Sequence, residues 1–143
     1  MAAVRADLGA AAAVIAIAAE ADLIRVRQAL RAEALRAGLG LVDQTKLITA
    51  GSELARNILI YATGQRGTLT LEHVRDGGRA GVRATFSDQG PGIDDIEAAL
   101  TDGFSTTGSL GLGLPGARRL ADEMTLSSGP EHGTTVVIVK WAR

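Results

Sequence analysis

Two periods of apolar and polar residues alternate along this chain, and the places where the period changes mark its elements. Residues 12 to 19 (AAVIAIAA) form a short apolar run that reads as a buried strand near the N-terminus. From Asp22 the apolar residues Leu23, Val26 and Leu30 recur at helical spacing, and Gly38 is the expected stop. A second helix is predicted from about Asp43 to Ala62, where Leu47, Leu54, Ile58 and Tyr61 share one face. The pattern then switches to period two. Thr68 to Arg75 and Gly81 to Ser87 alternate on either side of Asp76-Gly-Gly78, the signature of a β-hairpin. After the loop DQGPGID come a short helix over 95–100, a glycine-rich stretch, a helix from about Leu114 to Asp122, and two strands, Met124 to Ser128 and Thr134 to Trp141. The order β-α-α-β-β-α-loop-α-β-β predicts an α/β (α+β) sandwich, with one mixed, mostly antiparallel sheet and helices packed on one face.

Composition narrows the field. At 143 residues, with no repeat and no Pro/Ser-rich linker, the expectation is a single domain over 1–143. A net charge of −1 and 3% aromatic residues give neither an electrostatic footprint nor stacking platforms for nucleic acid. The absence of cysteine excludes disulfides and thiol catalysis. The Ala10–Ala19 run is too short to span a bilayer, and Asp7 ahead of it is out of place in a secretory signal, so a cytoplasmic protein without membrane contact is expected.

Residues 103 to 120 (GFSTTGSLGLGLPGARRL) crowd glycines before a helix, which leaves backbone N–H groups and a helix dipole free to attract an anion. The stretch contains a GxGxxG match, Gly111 to Gly116, but no strand precedes it and the strands that follow form a hairpin, so a Rossmann site is excluded. A P-loop motif is absent from the sequence.

Two further polar groupings stand out. Glu53 and Asn57 lie four apart on the second helix and share a face, distinct from that of Leu54 and Ile58. A carboxylate beside an amide oxygen suits Mg²⁺, which takes few protein ligands and keeps waters and phosphate oxygens, but a solvated margin of an amphipathic helix would look the same. Asp88-Gln-Gly-Pro-Gly-Ile93 follows a strand. There Gly90 and Gly92 permit a sharp turn and close ligand approach, Pro91 stiffens it, and Asp88 could accept from an exocyclic amine; an ordinary tight turn has the same composition.

In combination and in this order, an E…N pair on a long helix, DxGPGI after a strand, and GLGL before another helix resemble the Bergerat (GHKL) ATP-binding fold of histidine kinases, gyrases and anti-sigma kinases. Within it, SELARNILIYA, DQGPGIDDIEAALTDGFST, GLGLPGARRLADE and GTTVVIVKWAR resemble the serine/threonine switch kinases of the bacterial stressosome, over nearly all of residues 10 to 143.

The resemblance implies that Asn57 coordinates the Mg²⁺ bridging the ATP phosphates and that Glu53, the catalytic residue, orients or deprotonates the acceptor hydroxyl. It implies that Asp88 accepts from the adenine amino group, with Gly90 and Gly92 in the turn and Thr134 assisting after Gly133. Residues 104–113 become an ATP lid, with Thr106, Thr107, Gly108, Ser109, Gly111 and Gly113 along the phosphates; Ser109 stands where the family's glycine box commonly has its first glycine, which stiffens the lid. His73 and His132 read as surface histidines, and Arg118 and Arg119 face either a partner or water. The implied activity is ATP-dependent phosphorylation of STAS-domain proteins of a stressosome-like scaffold, followed by release and activation of a PP2C-type phosphatase. Two alternatives share the pattern: a non-catalytic switch module, and an anti-sigma factor kinase that sequesters a sigma subunit.

Overall fold

The structure, a computed structural model, describes residues 5–6, 11–61, 66–88, 114–129 and 133–143. Its elements are β1 (Arg5–Ala6), β2 (Ala13–Ile17), α1 (Asp22–Ala37), α2 (Leu41–Tyr61), β3 (Gly67–Asp76), β4 (Arg79–Asp88), α3 (Leu114–Leu120), β5 (Glu123–Gly129) and β6 (Gly133–Trp141). The short helix expected over 95–100 lies outside the described residues.

All pairings are antiparallel. The strand order is β1-β3-β4-β6-β5, with β2 also on the outer edge of β3. The expected mixed sheet is therefore wholly antiparallel among the described residues: β3–β4 and β5–β6 are joined by turns, while β2 reaches β3 through two helices and β4 pairs with β6 across α3 and β5. The N-terminal strand is also not buried on both faces. Among the described residues it pairs only with β3; Ile17 is buried while Val14 and Ala16 are exposed.

Alternation assigns the faces. Leu69 and Leu71 of β3, Val82, Ala84 and Phe86 of β4, and Val136 and Ile138 of β6 join Leu23, Val26 and Leu30 of α1, Leu47, Leu54 and Ile58 of α2, and Ala117 of α3 in one core. The opposite face is a field of Thr and Ser, with a bidentate Arg83–Glu72 pair at 3.0 and 3.1 Å and a small separate cluster of Val74, Val139 and Trp141. Gly81 makes that cluster possible. A Cβ there would stand 2.7 Å from Trp141 Cε3 and 2.8 Å from the Lys140 carbonyl oxygen.

Helix α1 has no side-chain cap at Ala21; instead Asp22, in its first turn, accepts from the N–H groups of Ala18 and Ala19. The Ala18 hydrogen bond is the chief cause of its lowered carboxyl pKa. At the other end Gly38, at φ 83°, donates back to the last turn and stops the helix. His73 is a correction to the surface reading. It sits on the helix-covered face of β3, half-buried, with Nε2 2.5 Å from Oε1 of the buried Glu33 on α1.

The far end of the sheet is held by charge. Lys140 is buried, with Nζ 3.4 Å from Asp43 Oδ1 in the first turn of α2 and 3.2 Å from Asp122 Oδ1 between α3 and β5. Arg143 pairs with both aspartates, so two cations meet two anions. Burial pushes the Asp122 carboxyl up, but the hydrogen bonds from the Trp141 N–H and Lys140 and the attraction of Lys140 and Arg143 outweigh it and hold it below its ordinary value. A carboxyl depressed in the folded state stabilises fully above its unfolded value near 3.8 and loses that contribution as pH falls through the folded value.

Two outcomes follow for chemical denaturation. Gly81→Ala destabilises by about 2 kcal/mol, through overpacking against Trp141 and the β6 backbone. Asp122→Asn costs about 3 kcal/mol near neutral pH, by leaving Lys140 buried with one carboxylate fewer, and the gap between variant and parent closes in acid.

Candidate nucleotide site

Helix α2 carries the first part of the site, and two glycines set how closely it lies on its neighbours. A Cβ at Gly51 would collide with Leu30 Cδ1 and lie 3.4 Å from Phe86 Cζ, so α2 approaches α1 and β4 together at this point. Seven residues on, Ile58 lies over the start of β3, where a Cβ at Gly67 would stand 2.8 Å from Ile58 Cδ1 and 2.5 Å from the Ser87 carbonyl oxygen. Gly67 is opposite Asp88 in the β3–β4 register. The C-terminal half of α2 thus lies over the strand end that bears Asp88.

Leu47, Ala50, Leu54, Ala55 and Ile58 form the buried stripe of α2, and Glu53 and Asn57 are half-buried beside it. On the α1 side Arg27 Nε donates to Ser52 Oγ at 3.3 Å and Arg56 lies 3.4 Å from Glu20. Ser52 and Asn57 are about 140° apart around the helix axis. Asn57 is therefore turned away from α1, and among the described residues α2 also packs against α3.

The sheet supplies the second part. Asp88, the last residue of β4, is opposite Thr134 of β6, which places their Cβ atoms within about 5.5 Å. Asp88 shares the face of Phe86 and Ala84, and Thr134 that of Val136 and Ile138, so both point to the side covered by helices. Ser128 of β5 extends the row. Its Oγ is 3.0 Å from Thr134 Oγ1 and donates to the Gly133 carbonyl at 3.3 Å. Sequence reasoning did not single out Ser128. Counting outward from Gly129 and Gly133 across the predicted turn would have put it opposite Thr134. Gly133 has φ 69°, a conformation that needs glycine as the chain enters β6.

The structure thus brings together Glu53 and Asn57 on one helix margin, and Asp88, Gly133 and Thr134 at one sheet end. Gly90, Gly92, Thr106, Thr107, Gly108, Ser109, Gly111 and Gly113 lie outside the described residues, as does His132. Chain connectivity alone sends residues 89–113 from Asp88 to Leu114 at the start of α3. Arg118 and Arg119 on α3 are exposed.

This donor set fits a purine nucleotide: a carboxylate and a hydroxyl on adjacent strands can meet an amino group and a ring nitrogen. It also fits a magnesium ion held mainly by phosphate and water. Among the described residues no group of three or more His, Cys, Asp or Glu side chains converges to cage a metal, and Mg²⁺ needs only one or two protein oxygens.

The described parts of the candidate site are thus an acid at the end of an antiparallel strand and an Asn on the helix that covers the sheet. Residues 42–142 match the histidine kinase-, DNA gyrase B- and HSP90-like ATPase family, and the chain belongs to it. It is 46% identical over 129 residues to the serine/threonine-protein kinase RsbT of Bacillus subtilis, covering 90% of this chain and 96% of that one. It is also 31% identical to an anti-sigma F factor of Bacillus licheniformis and 32% identical to that of Bacillus subtilis, each over 108 residues, 68% of this chain and 69% of the relative. Among the described residues no helix is long and apolar enough to cross a membrane.

Gly133→Ala tests the strand-entry geometry. A side chain at this positive φ costs about 1–2 kcal/mol, seen as a lower unfolding midpoint.

Proposed function

We propose that this chain is an ATP-dependent protein serine/threonine kinase, folded as one domain and acting in the cytoplasm. Its substrates are STAS-domain proteins of a stressosome-like complex; once released from that complex it binds and activates a PP2C-type phosphatase. The observation that carries the nucleotide part is the register that puts Asp88 beside Thr134 beneath the helix bearing Glu53 and Asn57. The similarity to RsbT along almost its whole length supports the choice of a serine or threonine acceptor.

In this reading the Asp88 carboxylate accepts from the adenine amino group, and the Thr134 hydroxyl, itself held by Ser128, hydrogen-bonds the ring edge. Guanine would present a carbonyl to that carboxylate and leave both unpaired, a loss of about 1–3 kcal/mol. Asn57 holds Mg²⁺, which when bound neutralises charge on the phosphates. Glu53, one turn before Asn57, orients the acceptor hydroxyl toward the terminal phosphate. A free carboxylate is a weak base for a hydroxyl, but phosphoryl transfer passes through a loose transition state in which positioning and charge neutralisation dominate. Gly90 and Gly92 let the loop after Asp88 pass close to the base, and Thr106, Thr107, Gly108, Ser109, Gly111 and Gly113 supply donors to the phosphates.

The similarity to anti-sigma F factors favours a second reading with the same ATP site, a kinase that also sequesters a sigma subunit. Binding to a purified sigma factor, against binding to a PP2C-type phosphatase, separates the two.

Calorimetric titration with ATP and Mg²⁺ gives adenine-specific binding that Asp88→Asn weakens about 10- to 100-fold. With labelled ATP and a STAS-domain protein, label reaches a serine or threonine, and Asn57→Ala abolishes that transfer while the melting temperature holds. Normal turnover by Asn57→Ala would remove the metal assignment, and absent ATP binding would leave a phosphatase-activating module without catalysis.

A further inference from the structure

A cleft of about 630 Å³ opens at the end of the sheet away from Asp88, lined by Ala37, Gly78, Arg79, Ala80, Ala142 and Arg143. It lies between the last turn of α1, the β3–β4 turn and the residues after β6. Since β4 runs ten residues from Arg79 to Asp88, the cleft is about 30 Å from the nucleotide end.

Its walls join an apolar floor and a charged rim. The floor is apolar and small, formed by Ala37, Ala80, Ala142 and the Gly78 backbone. The adjoining first turn of α2, tied to the cleft by the Arg143–Asp43 pair, presents Leu41 and Val42 at 77% and 67% exposure. The charge around this floor is asymmetric. Each arginine here is more exposed than the carboxylate it pairs with: Arg36 with Glu33, Arg79 with Asp76, and Arg143 with Asp43 and Asp122, the last two also held by the buried Lys140. The three arginine side chains are 48–67% exposed, and the four carboxylates 4–22%. With the buried Lys140 counted, four cations face four carboxylates and the cluster is neutral in sum, but the charge that reaches solvent is mainly guanidinium. Arg79 is further fixed by lying 4.5 Å over the Trp141 ring, and an ordered guanidinium loses little freedom when a carboxylate binds it.

We propose that this cleft is a docking site for an acidic segment of a protein partner, with an apolar side chain seated on the alanine floor and flanking carboxylates on the arginine rim. Charge complementarity selects an anionic occupant, and the apolar floor with Leu41 and Val42 selects one that carries hydrophobic side chains. The site is separate from the nucleotide, so partner and ATP bind together. Asp43 joins the rim to the same helix that carries Glu53 and Asn57.

Gly78 gives a clean test. It follows Gly77, the residue of the two-residue turn at φ 61°, but is not itself at positive φ, and nothing lies within 4 Å of where its Cβ would stand. A side chain there enters the cleft without displacing the fold. The full chain is titrated against a fluorescein-labelled dodecapeptide with a central Leu-Phe pair flanked by glutamates, with a lysine-flanked peptide as control, and anisotropy is read at low and high salt. The acidic peptide binds and the basic one does not, and added salt weakens the binding. Gly78→Glu weakens it at least about tenfold with an unchanged melting temperature, whereas Gly78→Arg keeps it. Failure of the acidic peptide to bind, equal binding by Gly78→Glu, or equal loss in Gly78→Arg would overturn the proposal. So would binding to phosphatidylglycerol vesicles that Gly78→Glu removes while the peptide stays unbound, which would make the face a membrane contact. ATP binding read on the same samples reports on the kinase reading independently.

Discussion

The pairing of β4 with β6 is the constraint on which the rest of the molecule depends. Side chains alternate along a strand, so one register fixes which residues meet at both ends and which face the helices. With Asp88 against Thr134, Val82, Ala84 and Phe86 fall under the helices, and Gly81 falls against Trp141 at the far end. A slip by one residue would either send Asp88 to the open face or bring Trp141 into the space beneath the helices. The site and the core are therefore specified by the same hydrogen-bond ladder.

Given that ladder, α2 is placed by absence of bulk. Gly51 lets it meet Leu30 and Phe86 at once, and Gly67 lets Ile58 settle between two strands. The helix is locked at two points along its length, and Glu53 and Asn57 lie between or beside them. The opposite end relies on a different force. Lys140 has three apolar neighbours in sequence and emerges on the helix side, where only the two aspartates make its burial tolerable; removing either would leave an ammonium poorly compensated in a low-dielectric setting.

Much of this was legible in the sequence because the relevant signals are local. The helical spacing of Leu23, Val26 and Leu30, the Gly38 stop and the Asp76-Gly-Gly78 turn each mark an element through their own backbone preferences. The Glu53–Asn57 face also follows from spacing alone. What could not be read depends on contacts distant in the chain. The run at Ala13–Ile17 looked buried on both sides because its residues are apolar, but strand position in a sheet is set by partners, and among the described residues β2 has one. His73 looked superficial because its partner is not one of its acidic neighbours in sequence, Glu72 and Asp76, but Glu33, 40 residues away. Lys140 in VVIVKW gives no hint of Asp43 or Asp122. Ser128 enters the row beside Thr134 only through the turn geometry. The loop after Asp88 and the glycine-rich lid were read by resemblance, and their residues lie outside those described.

The connection between β3 and β4 bears on how the chain reaches this state. Gly77 and Gly78 alone join two ten-residue strands, so this hairpin closes a very small loop and can zip from its turn. By contrast the β4–β6 ladder joins Ser87 to Thr135 across 48 residues and must wait for that long excursion to close. The hairpin is thus a template present early, on which the last strand docks late. The β4 edge that receives β6 is then exposed in the interval, which makes it the surface through which partly folded copies would pair with each other.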